Sequence, residues 1–366
     1  MSAPFKSAHA ADPDWTRAAR SCVEALGVIP ATATLGFLYV SDAFVADLEA
    51  ILDFFRRATG VPHWTGSVGV GVCATGVEYL EEPAMAVMLG EFDAADFHML
   101  PLLRDSNDVA ALPPGAYFAV AHGDPANPRI QELVEALAAH TASGFVVGGL
   151  SSARGEAAQI CDGVVSGGLS GVLFGERVAI ATRLSQGISP LGPRHTITRG
   201  NKNIIATLDH RPALDVMKEE IGEVLARDLR RAAGHIFVGL PVRGSDTGDY
   251  LVRNILGVDP QNHLVAIGEY VAPGDELLFC RRDQQAAEAD LLKMLTSISA
   301  QLASPARGGV YYSCLGRGRH MFGAPDRELG LIREVLGDVP LVGFFANGEI
   351  SRDRLYGYTG VLTLFA

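Results

Sequence analysis

The chain has 366 residues, of which 48% are hydrophobic and 20% charged, with 41 glycines and 19 prolines. That length favours two domains over one, and that composition excludes a disordered chain and a collagen. A formal net charge of −12 with only 7% aromatic residues excludes nucleic acid and anionic membrane surfaces as partners. Residues 15–27 place Trp15, Ala18, Ala19, Cys22, Val23 and Leu26 at helical spacing. The apolar run from Thr34 to Val40 predicts a buried strand, and Asp42 is positioned to cap a following helix that Gly60 ends. Strands are predicted at His63–Cys73, Ala84–Leu89, Tyr117–Ala121, Phe145–Leu150 and Leu169–Phe174, with an amphipathic helix at Pro128–His140. Near the end of the chain the same rhythm predicts strands at Gly309–Cys314, Leu341–Phe345 and Gly360–Phe365 around a helix at Asp326–Leu336.

The joints between these elements repeat. Gly60-Val61-Pro62 leads to Gly66 and then Gly71, and Asp338-Val339-Pro340 leads to Gly343 and then Gly348. A second copy runs through Gly149 and Gly155-Glu156, and a looser fourth through Ala213–Ala233, His235–Leu240, His263–Gly268 and Leu277–Cys280. Self-similarity of this kind predicts stacked equivalent modules. The predicted fold class is α/β or α+β: two domains of related strand–helix–strand–strand units with mixed sheets covered by helices. Gly187, Pro190, Gly192 and Pro193 interrupt the rhythm between Leu184 and Lys202. The expected domains are an N-terminal extension at 1–30, a first domain at 31–190 and a second at 191–366.

Familiar chemical signatures are weak. Gly69 to Ala74 fits a dinucleotide fingerprint, but the residues after it read as a turn into another strand instead of a helix. Ser151 lies in Gly149-Leu150-Ser151-Ser152-Ala153, which lacks the second glycine of a nucleophile elbow. The ten histidines show no metal-ligand pair, so neither a metal nor a cofactor is expected, and His320 beside Met321 reads as a solvated residue before it reads as a haem ligand. Five cysteines, far apart and without a CxxC pair, suit a reducing cytoplasm. No apolar run reaches membrane-spanning length, and no catalytic group is assigned.

Two stretches carry a candidate binding site. Ser313-Cys314-Leu315-Gly316-Arg317-Gly318 ends a predicted strand, where the glycines admit a ligand and Arg317 offers a bidentate fork. Gly343 to Glu349 ends another, with Asn347 and Gly348 suited to a tight turn that presents Glu349.

These segments resemble the FIST family. Ile197 to Ile205 with Arg211 to Asp215 is similar to the entry into the family's C-terminal domain, and Leu251 to Pro260, holding Arg253 and Asn254, to its central motif. Ser313 to Gly318 and Pro340 to Ile350 resemble its closing motifs. Gly36-Phe37-Leu38-Tyr39 and Pro62 to Gly71 are similar to its N-terminal domain, although Val72 stands where the family has an acidic residue. The resemblance implies an intracellular sensory module that binds a small ligand, an amino acid being the suggested class, and passes the signal to a downstream protein. Glycine-rich turns at strand ends are expected to line a concave pocket in the second half, with ligand contacts from Arg253, Asn254, Cys314, Arg317, Asn347, Gly348 and Glu349. Arg253 and Arg317 would hold an anionic group and Glu349 an amine. The alternatives are an enzyme with Cys314 as nucleophile and a haem-based gas sensor. A purely structural role would have Arg253 and Arg317 tie loops through salt bridges to residues such as Asp259 or Glu328.

Overall fold

The computed structural model describes residues 5–226, 235–242 and 250–366. The chain forms two compact units, Met1–Gln186 with Glu288–Ala366, and Gly187–Ala287. The second unit is inserted in the first, and the chain from Glu288 onward rejoins the first unit.

The first unit is a strand–helix–strand motif used three times. In the first repeat, β1 (Lys6–Ala11) and α1 (Trp15–Leu26) precede β2 (Leu35–Ser41), α2 (Leu48–Thr59), β3 (His63–Gly69), β4 (Gly71–Ala74), β5 (Val77–Leu80) and β6 (Ala84–Gly90). In the second, β7 (Phe97–Leu103) and α3 (Ser106–Val109) precede β8 (Phe118–Gly123), α4 (Ile130–His140), β9 (Phe145–Leu150), β10 (Gln159–Cys161), β11 (Val164–Val165) and β12 (Leu169–Phe174). The third opens with β13 (Ile180–Gln186), and the second unit is inserted there: β14 (Ile188–Pro190), β15 (His195–Asn201), β16 (Ile204–Leu208), β17 (Arg211–Pro212), α5 (Ala213–Ala226), β18 (Ile236–Pro241), β19 (Tyr250–Asp259), β20 (Leu264–Ile267) and β21 (Glu276–Arg282). Helix α6 (Gln284–Gln301) leads back to β22 (Gly308–Cys314), α7 (Arg319–Phe322), α8 (Arg327–Leu336), β23 (Leu341–Ala346), β24 (Glu349–Ser351), β25 (Arg354–Tyr356) and β26 (Thr359–Phe365).

Each repeat pairs in parallel the two strands that flank its helix (β2 with β3, β8 with β9, β22 with β23) and returns its last strand antiparallel to the earlier of the two. The short hairpin of each repeat is given away. The sheet orders are β1-β6-β2-β3-β10-β11, β7-β12-β8-β9-β24-β25 and β13-β26-β22-β23-β4-β5. Thus β4–β5 completes the third sheet, β10–β11 the first and β24–β25 the second, a closed cycle of exchange.

The repeat glycines explain the sequence spacing. Gly66, Gly148 and Gly343 lie opposite Leu38, Ala121 and Tyr311 in the parallel pairs, and a Cβ on any of them would fall 1.7–1.8 Å from that partner's carbonyl oxygen. Only a residue without Cβ fits. The expected equivalence of Pro62–Gly71 and Pro340–Gly348 therefore holds, both running strand, turn, strand. In the second repeat the matching glycine is Gly148, not Gly149, and the turn to β10 is longer.

Inner faces of all three sheets form one core of Phe37, Tyr39, Val120, Phe174, Tyr312, Phe344 and their neighbours. Helices α1 and α2 cover the outer face of the first sheet and α4 that of the second. Strands buried on both faces read as continuous apolar runs, which is why they were visible in the sequence. The predicted helix from Asp42 begins as a 3-10 helix at Asp42–Asp47 before α2, and the Asp42 carboxylate pairs with Arg154 at 2.7 Å.

In the second unit β21, β15, β16, β20, β19 and β18 pair antiparallel in that order, and β18 pairs back onto β21, closing a barrel. Ile205, Leu208, Leu214, Met217, Val238, Val265 and Phe279 fill it. The looser fourth copy is therefore corrected: among the described residues this unit has no parallel pair. Its expected helix at 213–233 is described as α5 to Ala226, with an extended left-handed break at Gly222, and its remainder lies outside the described residues.

Candidate functional site

Strand β22 ends at Cys314, and the next four residues turn sharply into α7, with Gly318 at φ +51. A Cβ there would lie 2.9 Å from Glu78 Oε2 and from the Phe345 ring. The turn folds Arg317 inward until none of its side chain is exposed. Its Nε donates to Glu328 Oε1 at 2.7 Å, Nη2 to Ser185 Oγ at 2.9 Å, and Nη1 to the carbonyls of Ser185 and Tyr358 at 3.3 and 3.4 Å. Glu328 also accepts from Tyr311 Oη at 2.6 Å, Ser313 Oγ at 3.0 Å and the Gly318 N–H at 2.9 Å. Burial disfavours the Arg317 charge, but the Glu328 carboxylate outweighs it and holds the guanidinium protonated. A buried ion pair survives only when every lone pair and proton is used in this way.

Glu349, at the start of β24, is also fully buried. Its Oε2 accepts from the Thr359 N–H at 3.1 Å and from Thr359 Oγ1 at 2.7 Å, while Oε1 has no hydrogen-bond partner of normal geometry. Burial pushes its carboxyl up to about 8, against the pull of Thr359, Arg317 and Cys314. Cys314 is partly exposed as a residue, yet burial and then the Glu349 charge raise its thiol far above the usual range. A thiol held protonated is a poor nucleophile.

A third carboxyl comes from the exchanged hairpin. Glu78 on β5 accepts the N–H groups of Glu328 and Leu329 at 3.0 and 3.3 Å through Oε1, closing the first turn of α8. Its own N–H donates to Asp326 Oδ1 at 2.6 Å, and its Oε2 is without a partner. Burial and then Glu328 raise its carboxyl to about 7.

Of the seven residues expected in the site, Cys314, Arg317, Asn347, Gly348 and Glu349 belong to the first unit, and three of them, Cys314, Arg317 and Glu349, interact. Asn347 is exposed on a turn that the second repeat pins, its N–H donating to the Leu150 carbonyl and the Gly348 carbonyl accepting the Leu150 N–H, each at 2.9 Å. Arg253 and Asn254 lie on β19 in the inserted unit. Arg253 bonds Glu269 at 3.0 Å instead of Asp259, which binds Gln261 and Asn262 in its own turn. Arg317 does take the Glu328 bridge that a structural role requires. Sequence reading missed Glu78, Ser185 and Thr359; Glu78 could be found only by knowing that β4–β5 leaves its own repeat.

The remaining motifs are structural. Ser151 is buried and donates to the Val68 carbonyl at 2.6 Å, and the Gly69 to Ala74 stretch joins two strands. His320 is exposed. One polar group does lie deep in the core: Tyr39 Oη meets Tyr312 Oη at 2.8 Å and His122 Nε2 at 3.1 Å. These three residues each follow the partner of a repeat glycine, so they are equivalent, and burial pushes His122 down to about 3, leaving it uncharged.

The FIST N domain profile matches residues 34–211 and the FIST C domain profile residues 213–352. An uncharacterized protein of Mycobacterium tuberculosis is 32% identical over 378 residues, covering 96% of this chain and 97% of that protein. An uncharacterized protein of Mycobacterium bovis is 31% identical over 353 residues, covering 91% of this chain and 90% of that protein. No helix among the described residues is long and apolar enough to cross a membrane.

Proposed function

Because the chain belongs to the FIST family, whose domains form sensory modules of signal transduction, we propose that it is an input module that binds a small amine-bearing ligand, an amino acid, at Glu349. The observation that carries this reading is a fully buried carboxyl whose Oε1 has no hydrogen-bond partner of normal geometry, the Cys314 thiol being its remaining side-chain donor besides Thr359. A buried acceptor left without a donor costs about 1–3 kcal/mol, and a ligand ammonium group would supply the donor. Cys314, which interacts with Glu349, its neighbours Leu315 and Gly316, and Gly348 beside Glu349 in the chain are all partly exposed, and a ligand would reach the carboxyl past them. Arg317, already committed to Glu328, acts from beside the site through its charge. The module works in the cytoplasm and reports to a downstream signalling protein. The raised Cys314 thiol favours binding over nucleophilic chemistry.

The test is a thermal-shift screen of the wild type and Glu349→Gln against the amino acids. A ligand at a hundred times its dissociation constant stabilises the folded state by about 2.7 kcal/mol. The reading requires at least one amino acid to raise the melting temperature of the wild type and not of the variant. A screen with no shift, or a shift that survives Glu349→Gln, overturns it.

A further inference from the structure

The second repeat contains a natural control for Arg317. In that repeat Asn127 Nδ2 donates to the carbonyl of Gly167, three residues before Ser170, and to that of Arg104 at the end of β7, at 3.0 and 3.2 Å. Arg317 makes two corresponding links in the third repeat, to Tyr358, three residues before Val361, and to Ser185, one residue before Gln186, the register counterpart of Arg104. Ser170 and Val361 are equivalent, being register partners of His122 and Tyr312. The next contact is repeated as well: the Arg104 N–H donates to Asp108 Oδ2 and the Gln186 N–H to Asp290 Oδ2, each at 2.7 Å. A neutral asparagine thus suffices to brace edge strand, loop and last strand. In the second repeat this brace lies beside an open groove of about 450 Å³.

The third repeat uses a costlier group. Arg317 is completely buried, and it adds links that Asn127 does not make: a direct one to Glu328, and one to Glu349 through a shared peptide, since Nη1 bonds the Tyr358 carbonyl while Glu349 Oε2 accepts the N–H of Thr359. The strand it braces is also different in consequence. After Gln186 the chain leaves the first unit for the inserted one, whereas after Arg104 it only turns through α3 to β8. We propose that Arg317 is a coupling residue, through which the charge and occupancy of the Glu349 site set how tightly Ser185 and Gln186, the exit into the inserted unit, are held. This rests on Glu349 being the input site. When Glu349 is neutral, Arg317 divides itself between Glu328 and Ser185. An ionised Glu349 competes for the guanidinium, and the bonds to Ser185 loosen. A ligand ammonium group that neutralises the carboxylate restores them.

The proton serves as the probe. Glu349 faces Cys314 from β22, Arg317 from the loop and Thr359 from β26; Arg317 faces Tyr311 from β22 and Glu328 from α8; and behind Glu328 stand Glu78 from β5, Cys73 from β4 and Asp326. Hydrogen exchange of the Gln186 amide, divided by the intrinsic rate at each pH, is measured from about pH 6.5 to about pH 9 in the full chain. The wild type is expected to exchange at least about threefold faster at the high end, Glu349→Gln to stay flat, and Glu78→Gln to behave as wild type. Arg317→Lys, a point charge without a fork, is expected to exchange fast throughout. A flat wild type overturns the coupling, as does a rise that persists in Glu349→Gln or vanishes in Glu78→Gln, or slow exchange in Arg317→Lys. Amino-acid binding with flat exchange leaves the ligand reading standing and removes the coupling; a pH-dependent exit without any amino-acid shift does the reverse.

Discussion

The second and third repeats share a backbone plan and differ in what they bury. At the position where the exchanged hairpin enters its host sheet, register makes Val72, Gln159 and Glu349 equivalent, opposite Phe344, Ser67 and Gly149. Val72 packs into the core. Gln159 is satisfied: its Nε2 donates to the Gly168 carbonyl at 2.9 Å and its Oε1 accepts from Ser170 Oγ at 2.5 Å. Glu349 alone keeps an oxygen unused. An apolar side chain and a neutral amide build the same joint, so the fold does not demand an acid there. Departure from a locally sufficient solution is where function is to be sought.

Four measurements test this contrast between the repeats. The largest effect concerns what the repeats share. Gly66→Ala, Gly148→Ala and Gly343→Ala each push a methyl onto a carbonyl oxygen and are expected to cost more than about 4 kcal/mol in urea unfolding. A tolerated substitution at one of them would show that its repeat is not built like the others. Next, Arg317→Ala strands Glu328 as a buried charge and is expected to cost about 3–5 kcal/mol, while Asn127→Ala costs about 1 kcal/mol. Equal costs would erase the distinction between the two braces.

The third outcome is a pH dependence. The native carboxyl of Glu349 titrates near 8 and that of an unfolded glutamate near 4.5, so the native state binds the extra proton between them. Stability therefore falls as pH rises through that window, and Glu78, near 7, adds a decline of the same sign. Glu349→Gln is expected to flatten the upper part of the curve and to exceed the wild type by roughly 1–3 kcal/mol at about pH 9. A wild type that gains stability from pH 6 to 9 would contradict the assignment. The smallest effect belongs to the satisfied copy: Gln159→Leu leaves Ser170 Oγ without its acceptor and is expected to cost about 1–3 kcal/mol with no change in the pH profile.

Much of the architecture was legible because periodicity reports burial. The strands at Phe145–Leu150 and Leu169–Phe174 match the sequence reading residue for residue, and the glycine spacing located two of the three equivalent joints. What escaped was partnership. A sequence shows that Val77–Leu80 alternates, but not that it and β4 join a sheet whose other strands begin after residue 179. Lys6–Ala11 was read as an extension because its edge position leaves a mixed burial pattern. The loop bearing Arg317 was found from its glycines, and Glu328 was foreseen as a salt-bridge partner. Glu78 was unreadable, since 250 residues separate it from the helix it caps. Arg253 shared a family motif with the site but sits in the inserted barrel, and motif order along a chain says nothing of such insertions.

The exchange of hairpins also governs how this protein can be born. During synthesis β4 and β5 emerge early, yet their host strand β23 is not made until residue 346. The first sheet waits in turn for β10 and β11. For most of translation, then, the nascent chain carries an unpaired hairpin and an unfilled sheet edge, the condition that invites off-pathway association. No fragment that stops at the end of the N-terminal family match, residue 211, can close its second or third sheet. The two halves named by sequence are inseparable in assembly, and completion of the last strands is the event that closes the second and third sheets.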